Sequence, residues 1–150
     1  MGRMYTVSFT EVAVTAVQDL FQLEAKTSVA IVHGIFISQT TDVGDAEAEN
    51  LSIVLARVTD AVSNVTVETV LNTGDAAANA NLNVNQTTQL VTGAATVHSE
   101  AWNIALPFVW MPPPEMRIIV RPDDAFVVDL NTAPGDSLTM SGTLYFEEIG

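Results

Sequence analysis

Between Thr40 and Leu51 the chain reads TTDVGDAEAENL, which places Asp42, Asp45, Glu47 and Glu49 within eight residues. Carboxylates at this density could serve hard-cation binding or paired acid–base catalysis. An EF-hand loop needs a glycine at its sixth position and a bidentate glutamate at its twelfth. Here the carboxylates fall at relative positions 1, 4, 6 and 8, and Gly44 stands at 3. That motif is not met. Extended backbone from Asp45 to Glu49 would point Asp45, Glu47 and Glu49 to one side, which leaves an irregular calcium site open. The favoured reading is a solvated loop whose like charges keep a strand end soluble and discourage edge pairing.

A second constellation is HSEAWN, where His98, Glu100 and Trp102 share a strand parity and could line one face. A cross-strand polar patch is the commoner explanation of such a trio. His33 lies in an apolar run and is expected to be a hydrogen-bonded core residue. Ser99 and Ser137 lack the nucleophile-elbow context G-x-S-x-G, and neither a phosphate loop nor G-x-G-x-x-G occurs. Two histidines cannot build a three-histidine zinc site, and the absence of cysteine removes disulfides, thiolate ligands and thiol nucleophiles. The residues therefore predict no catalytic set, no metal site and no cofactor. Trp102 and Trp110 could form a sugar-stacking platform, although two tryptophans are ordinary anchors of a core or an interface.

Charge narrows the partners. The net charge is −13, and only Arg3, Lys26, Arg57, Arg117 and Arg121 are positive. No cluster of Lys and Arg is expected from them, so nucleic acid is not an expected partner. Anionic membrane surfaces are disfavoured by the same repulsion. No stretch approaches the ~20 apolar residues of a membrane span. The opening MGRMYTVSFT has no signal-type apolar region; Met1, Gly2 and Thr6 fit the loose myristoylation pattern, which recurs by chance.

At 150 residues, 48% of them hydrophobic, one domain with a sizeable core is expected. The elements that would position these side chains read as strands. In DSLTMSGTLYFEEIG, Leu138, Met140, Gly142, Leu144 and Phe146 alternate with Thr139, Ser141, Thr143, Tyr145 and Glu147. That period of two describes a strand with one buried and one wet face. Tyr5, Val7 and Phe9, then Val12 and Val14, alternate in the same way. The run SVAIVHGIFIS is apolar on both parities, which predicts a strand covered on both sides. ENLSIVLARV fits helical and strand spacing, and its neighbours favour strand. MRIIV and AFVVDL flank RPDD and read as a hairpin; Pro112 to Pro114 mark a corner or an edge.

From Asn72 to Ala95 small, amide and hydroxyl residues dominate, and Asn79, Asn81, Asn83 and Asn85 alternate with Ala80, Leu82 and Val84. Large apolar groups are too few there for a core strand. Two readings stay open: a long surface loop, or an extended arm that pairs with a neighbouring subunit. In sum the expectation is an all-β, antiparallel β-sandwich, jelly-roll-like, with a long Asn/Ala/Thr-rich loop or arm over about 72–95.

FTEVAVTAVQDLF, DVGDAEAENLSI, HSEAWNI, PPPEMRIIVRP and APGDSLTMSGTLYFEEIG together resemble a family of small structural proteins of tailed bacteriophages. The likeness runs over most of the chain and is weakest between Val58 and Ala95. It implies a head-decoration or cement protein: a jelly-roll-like sandwich, usually a homotrimer, made in the host cytoplasm and added to the outer surface of the expanded capsid. Its implied partner is the major capsid protein lattice, and it contributes no catalytic residue. The rival from another class is a carbohydrate- or receptor-binding sandwich of a phage tail or fibre.

Overall fold

The computed structural model describes residues 2–41, 49–63 and 65–150. The acidic Asp42, Asp45 and Glu47 lie outside these residues, so the possible calcium site there is not addressed by the fold. Eleven strands and one 3-10 turn at Pro114–Met116 make up the regular structure among the described residues.

The closing strand, β11 (Leu138–Ile149), alternates as its sequence predicts, with Leu138, Met140, Leu144 and Phe146 buried and their neighbours half-exposed. It lies between β1 (Arg3–Val14) and β3 (Val29–Thr41), antiparallel to both. The two alternating segments read near the start are one strand, interrupted by a register shift between Phe9 and Val12, where Glu11 takes a φ of 52°. Gly142 is required at its position: a Cβ there would stand 2.8 Å from the Phe9 ring, which packs against Phe21.

Six strands form one sheet in the order β5 (Thr69–Val70), β1, β11, β3, β8 (Phe108–Trp110), with β9 (Ile118–Val120) pairing β3 further along. The facing sheet runs β6 (Asn81–Gln86), β2 (Gln18–Glu24), β10 (Ala125–Leu130), β4 (Asn50–Val58), β7 (Ala95–Asn103). Taking β8 and β9 as one broken strand, β1–β11–β3–β8/β9 faces β2–β10–β4–β7. Successive strands switch sheets except at β4 to β7, which is the jelly-roll arrangement of an antiparallel sandwich. Between the sheets lies a dry core in which Tyr5 stacks on Phe146 at 5.3 Å and Phe21, Phe126, Ile35, Ile53 and Leu144 are fully buried. ENLSIVLARV is strand β4, as its neighbours suggested.

Three expectations are corrected. RPDD does form a turn, closed by the Asp124 N–H on the Arg121 carbonyl at 3.0 Å. It joins no hairpin, because β9 pairs β3 while β10 pairs β2 and β4 in the other sheet. Turn chemistry is local, whereas the choice of sheet is made by distant partners.

Residues 72–95 are neither a structureless loop nor an arm reaching out: Asn81–Gln86 forms the edge strand β6, paired with β2 of the same chain. Its inward side carries Leu82 into the core. Its outward amides meet a polar row on β2, with Asn81 Nδ2 donating to Glu24 Oε2 at 3.1 Å and Asn83 Nδ2 to Gln22 Oε1 at 3.3 Å. Gln18 Nε2 donates in turn to Asn85 Oδ1 at 3.1 Å. Asparagine weakens a strand in general, but here a row of one carboxylate and two amides opposite bonds Asn81, Asn83 and the Asn85 carbonyl oxygen.

The third correction concerns β3. It is buried on one side by Ala30, Val32, Ile35 and Ile37 and only half-covered on the other, where Ile31, His33 and Phe36 lie. His33 is hydrogen-bonded, to Glu147 Oε2 at 3.0 Å, but on this outer face rather than in the core.

Candidate functional site

The outer faces of the two sheets are finished in opposite ways. On the five-stranded sheet, Val58, Ala125 and Val127 point away from the main core and are nonetheless buried. Val62 and Leu90, from the stretches after β4 and after β6, pack over them as a second apolar cluster with Ala56. Buried carboxylates fasten this cover. Glu24 accepts the Val62 N–H at 2.9 Å and the Lys26 ammonium at 2.7 Å. Asp19 accepts the Leu90 N–H at 2.9 Å and Gln22 Nε2 at 2.7 Å.

These environments shift the acids in opposite directions. Burial pushes Glu24 up, but the hydrogen bonds from Lys26, Val62 and Asn81 outweigh it and hold its carboxyl below the ordinary value. Burial dominates at Asp19, opposed by the Leu90 and Gln22 bonds and reinforced by the charges of Asp129 and Asp60, so its pKa is pushed up to about 6. Asp129, cross-strand from Asp19, is also raised by burial, against the bond from Gln89. This pair is roofed by the chain itself, and Asp19 is fully buried.

Among the described residues, no segment packs over the outer face of the six-stranded sheet in this way. Residues of the outward parity on β1, β3 and β11 bring together Met4, Ile31, His33, Phe36, Thr143 and Tyr145. Phe36 and Tyr145 meet edge to face at 5.7 Å. Met4, His33, Gly34, Phe36, Met111 and Tyr145 line a shallow hollow of about 220 Å³. Around it, Val109 is 51% exposed, Met111 70% and Ile119 54%. Polar side chains share this face: Thr6, Ser8, Ser141 and Thr143 lie along β1 and β11, His33 and Glu147 bond each other at 3.0 Å, and Ser8 pairs with Thr143 at 2.9 Å. Such a face combines half-covered apolar side chains with hydroxyl and charged groups around them.

The residues singled out for chemistry do not assemble into a site. His98, Glu100 and Trp102 do share the side of β7 that faces the core, opposite Leu55, Ile53 and Leu51. Trp102 is buried, donating its indole N–H to the Leu106 carbonyl at 2.6 Å and meeting Phe108 edge-on. His98 and Glu100 stay at the exposed edge, 3.3 Å apart, beside the Trp110 ring. Trp110 is half-buried against the core. The tryptophans therefore anchor the fold and present no shared stacking platform. Glu49, the described member of the acidic stretch, accepts the Gly135 N–H at 2.6 Å. No cluster of three or more histidines and carboxylates with metal-holding geometry occurs among the described residues.

The bare-face residues Met4, Phe36, Met111 and Tyr145 were missed by sequence reasoning. The one signal for them was the apolar content of SVAIVHGIFIS on both parities, which announces a need for cover but not its source.

No family model and no curated protein matches the chain. Among solved structures, a chain from the crystal structure of the T13 IBDV viral particle is similar at a TM-score of 0.17 and 14% identity, covering 99% of this chain and 39% of that one. A likeness this low supports no inference about fold or role. No helix among the described residues is long and apolar enough to cross a membrane.

Proposed function

We propose that this chain is a virion structural protein of the head-decoration type: a homotrimer on the outer surface of a phage capsid, docked on the major capsid protein lattice. One observation carries the reading. A central strand whose sequence asks for cover on both sides receives it on only one, while the chain spends the stretches after β4 and β6 covering the opposite sheet. Apolar surface left bare in this way is stable in water at modest cost and gains on burial against a protein, at about 25 cal/mol per Å².

The resemblance noted in the sequence supplies the kind of protein partner; the face supplies the surface. An acidic exterior suits a protein present in many copies beside packaged nucleic acid, since it stays soluble and does not adhere to phosphate. The carbohydrate-binding alternative loses its proposed platform with the burial of Trp102.

Mixing the purified chain with expanded, undecorated shells and imaging them by electron cryomicroscopy tests the proposal. The expected result is added density with the Phe36 and Tyr145 face against the shell. Shells that gain no density reject it. Light scattering on the free protein tests the trimer, and a monomer at micromolar concentration would remove that part.

A further inference from the structure

The five positive side chains are scattered in the sequence, yet three of them, Arg57, Arg117 and Arg121, line one open cleft of about 490 Å³. It lies where β9, on the rim of one sheet, passes the β4–β7 rim of the other. The alternation in RIIVR explains the local arrangement: Ile118 and Val120 turn into the core, which leaves Arg117, Ile119 and Arg121 on the opposite parity. Arg57 arrives from β4, whose last inward positions open onto the end of the sandwich.

Among the described residues no carboxylate forms an ion pair with any of the three guanidiniums, although the chain has 18 acidic residues. Arg117 Nε has no hydrogen-bond partner among the described residues. Glu115 and Asp124 also line the cleft, so three positive groups stand against two negative ones in a molecule of net charge −13. The rest of the lining is apolar: Ile118 is buried, while Val97 at 41%, Met116 at 69% and Ile119 at 54% are exposed.

We infer that this cleft binds an acidic segment of a partner protein, one that places a carboxylate on Arg117 and its neighbours and an apolar side chain on Val97, Met116 and Ile119. Guanidinium forks suit carboxylates through paired, charge-assisted hydrogen bonds. The exposed apolar lining separates this occupant from a free inorganic anion, which would leave it unused. The inference concerns partner chemistry and stands whether or not the bare sheet face docks on a capsid.

The test is a titration of the intact chain with a synthetic peptide that alternates glutamate and leucine, with its glutamine counterpart, and with inorganic phosphate, followed by the arginine Nε–Hε resonances. Expected are a shift of the Arg117 resonance with the glutamate peptide, weakening with added salt, and at least about tenfold weaker binding of the glutamine peptide. Arg117→Gln should weaken binding by a similar factor and Arg117→Lys by less, each with an unchanged amide spectrum. Should Arg117→Gln disturb the fold, Arg57→Gln, on an exposed position of β4, takes its place. Equal binding of the two peptides, an unmoved Arg117 resonance, or phosphate binding as tightly as the glutamate peptide would each overturn the inference.

Discussion

On the five-stranded sheet the chain finishes its own outer face, whereas on the six-stranded sheet it leaves that face open. The finished face sets apolar Val58, Ala125 and Val127 beside a buried polar row of Gln18, Asp19, Gln22, Glu24 and Asn83, and Val62 and Leu90 close over the sheet. On the open face Phe36, Tyr145 and Met4 are half-buried around a shallow hollow, beside the His33–Glu147 and Ser8–Thr143 pairs. Buried polar rows fix a unique register and resist rearrangement. Exposed apolar area carries no such constraint and is free to be covered by another molecule. One face thus holds the fold together, and the other is available for use.

Four substitutions or titrations can break or sharpen that contrast. The largest effect should come from the core beneath both faces, where Leu144 is fully buried. Leu144→Asp should remove more than about 5 kcal/mol and abolish soluble folding, because a carboxylate there has no partner. A thermal melt matching the parent would show that β11 does not support the two sheets.

Next is pH. The folded-state pKa of Asp19, about 6, lies above its ordinary 3.8. Protonated Asp19 therefore favours the fold, and its contribution is complete below the ordinary value and lost as pH rises through about 6. The full swing is about 3 kcal/mol. Asp129 is raised in the same direction. Urea unfolding should accordingly show greater stability at pH 5 than at pH 7.5, and Asp19→Asn should flatten the difference. Carbon-detected titration that finds Asp19 near 4 would remove the effect.

A smaller loss is expected at Glu24→Ala, which strips acceptors from the Val62 N–H and Asn81 Nδ2. About 2 kcal/mol is expected in chemical denaturation, with faster hydrogen exchange at Val62. Unchanged exchange there would mean that the cover does not depend on the carboxylate. Least affected should be the open face. Phe36→Thr should cost the free chain about 1 kcal/mol or less, while attachment to shells falls at least tenfold. If stability fell instead and attachment survived, the two faces would have exchanged roles.

How much was legible follows from the range of the interactions. Alternation in β11 and in β1 named the strands because a period of two is a local property of extended backbone, whereas ENLSIVLARV fitted both periods and was read as strand from its neighbours. A jelly-roll-like sandwich was reachable from eight or more such segments. β6 was not, because Asn81, Asn83 and Asn85 read as loop residues until Glu24, Gln22 and Gln18 stand opposite them, some sixty residues away. The same limit hid the arginine cleft, since Arg57 and Arg117 are separated by most of the second half of the chain.

The amino-acid order by itself determined the all-β class, the inward parity of β1 and β11 and the acidic character of the chain, because each depends on neighbours a few residues apart or on composition alone. Which face would be covered was decided only in three dimensions. Both sheets carry apolar residues on their outer parity, and among the described residues the covering segments lie on one. Their placement depends on where the carboxylates of β2 meet the free N–H groups of Val62 and Leu90, a match between partners that no local pattern contains.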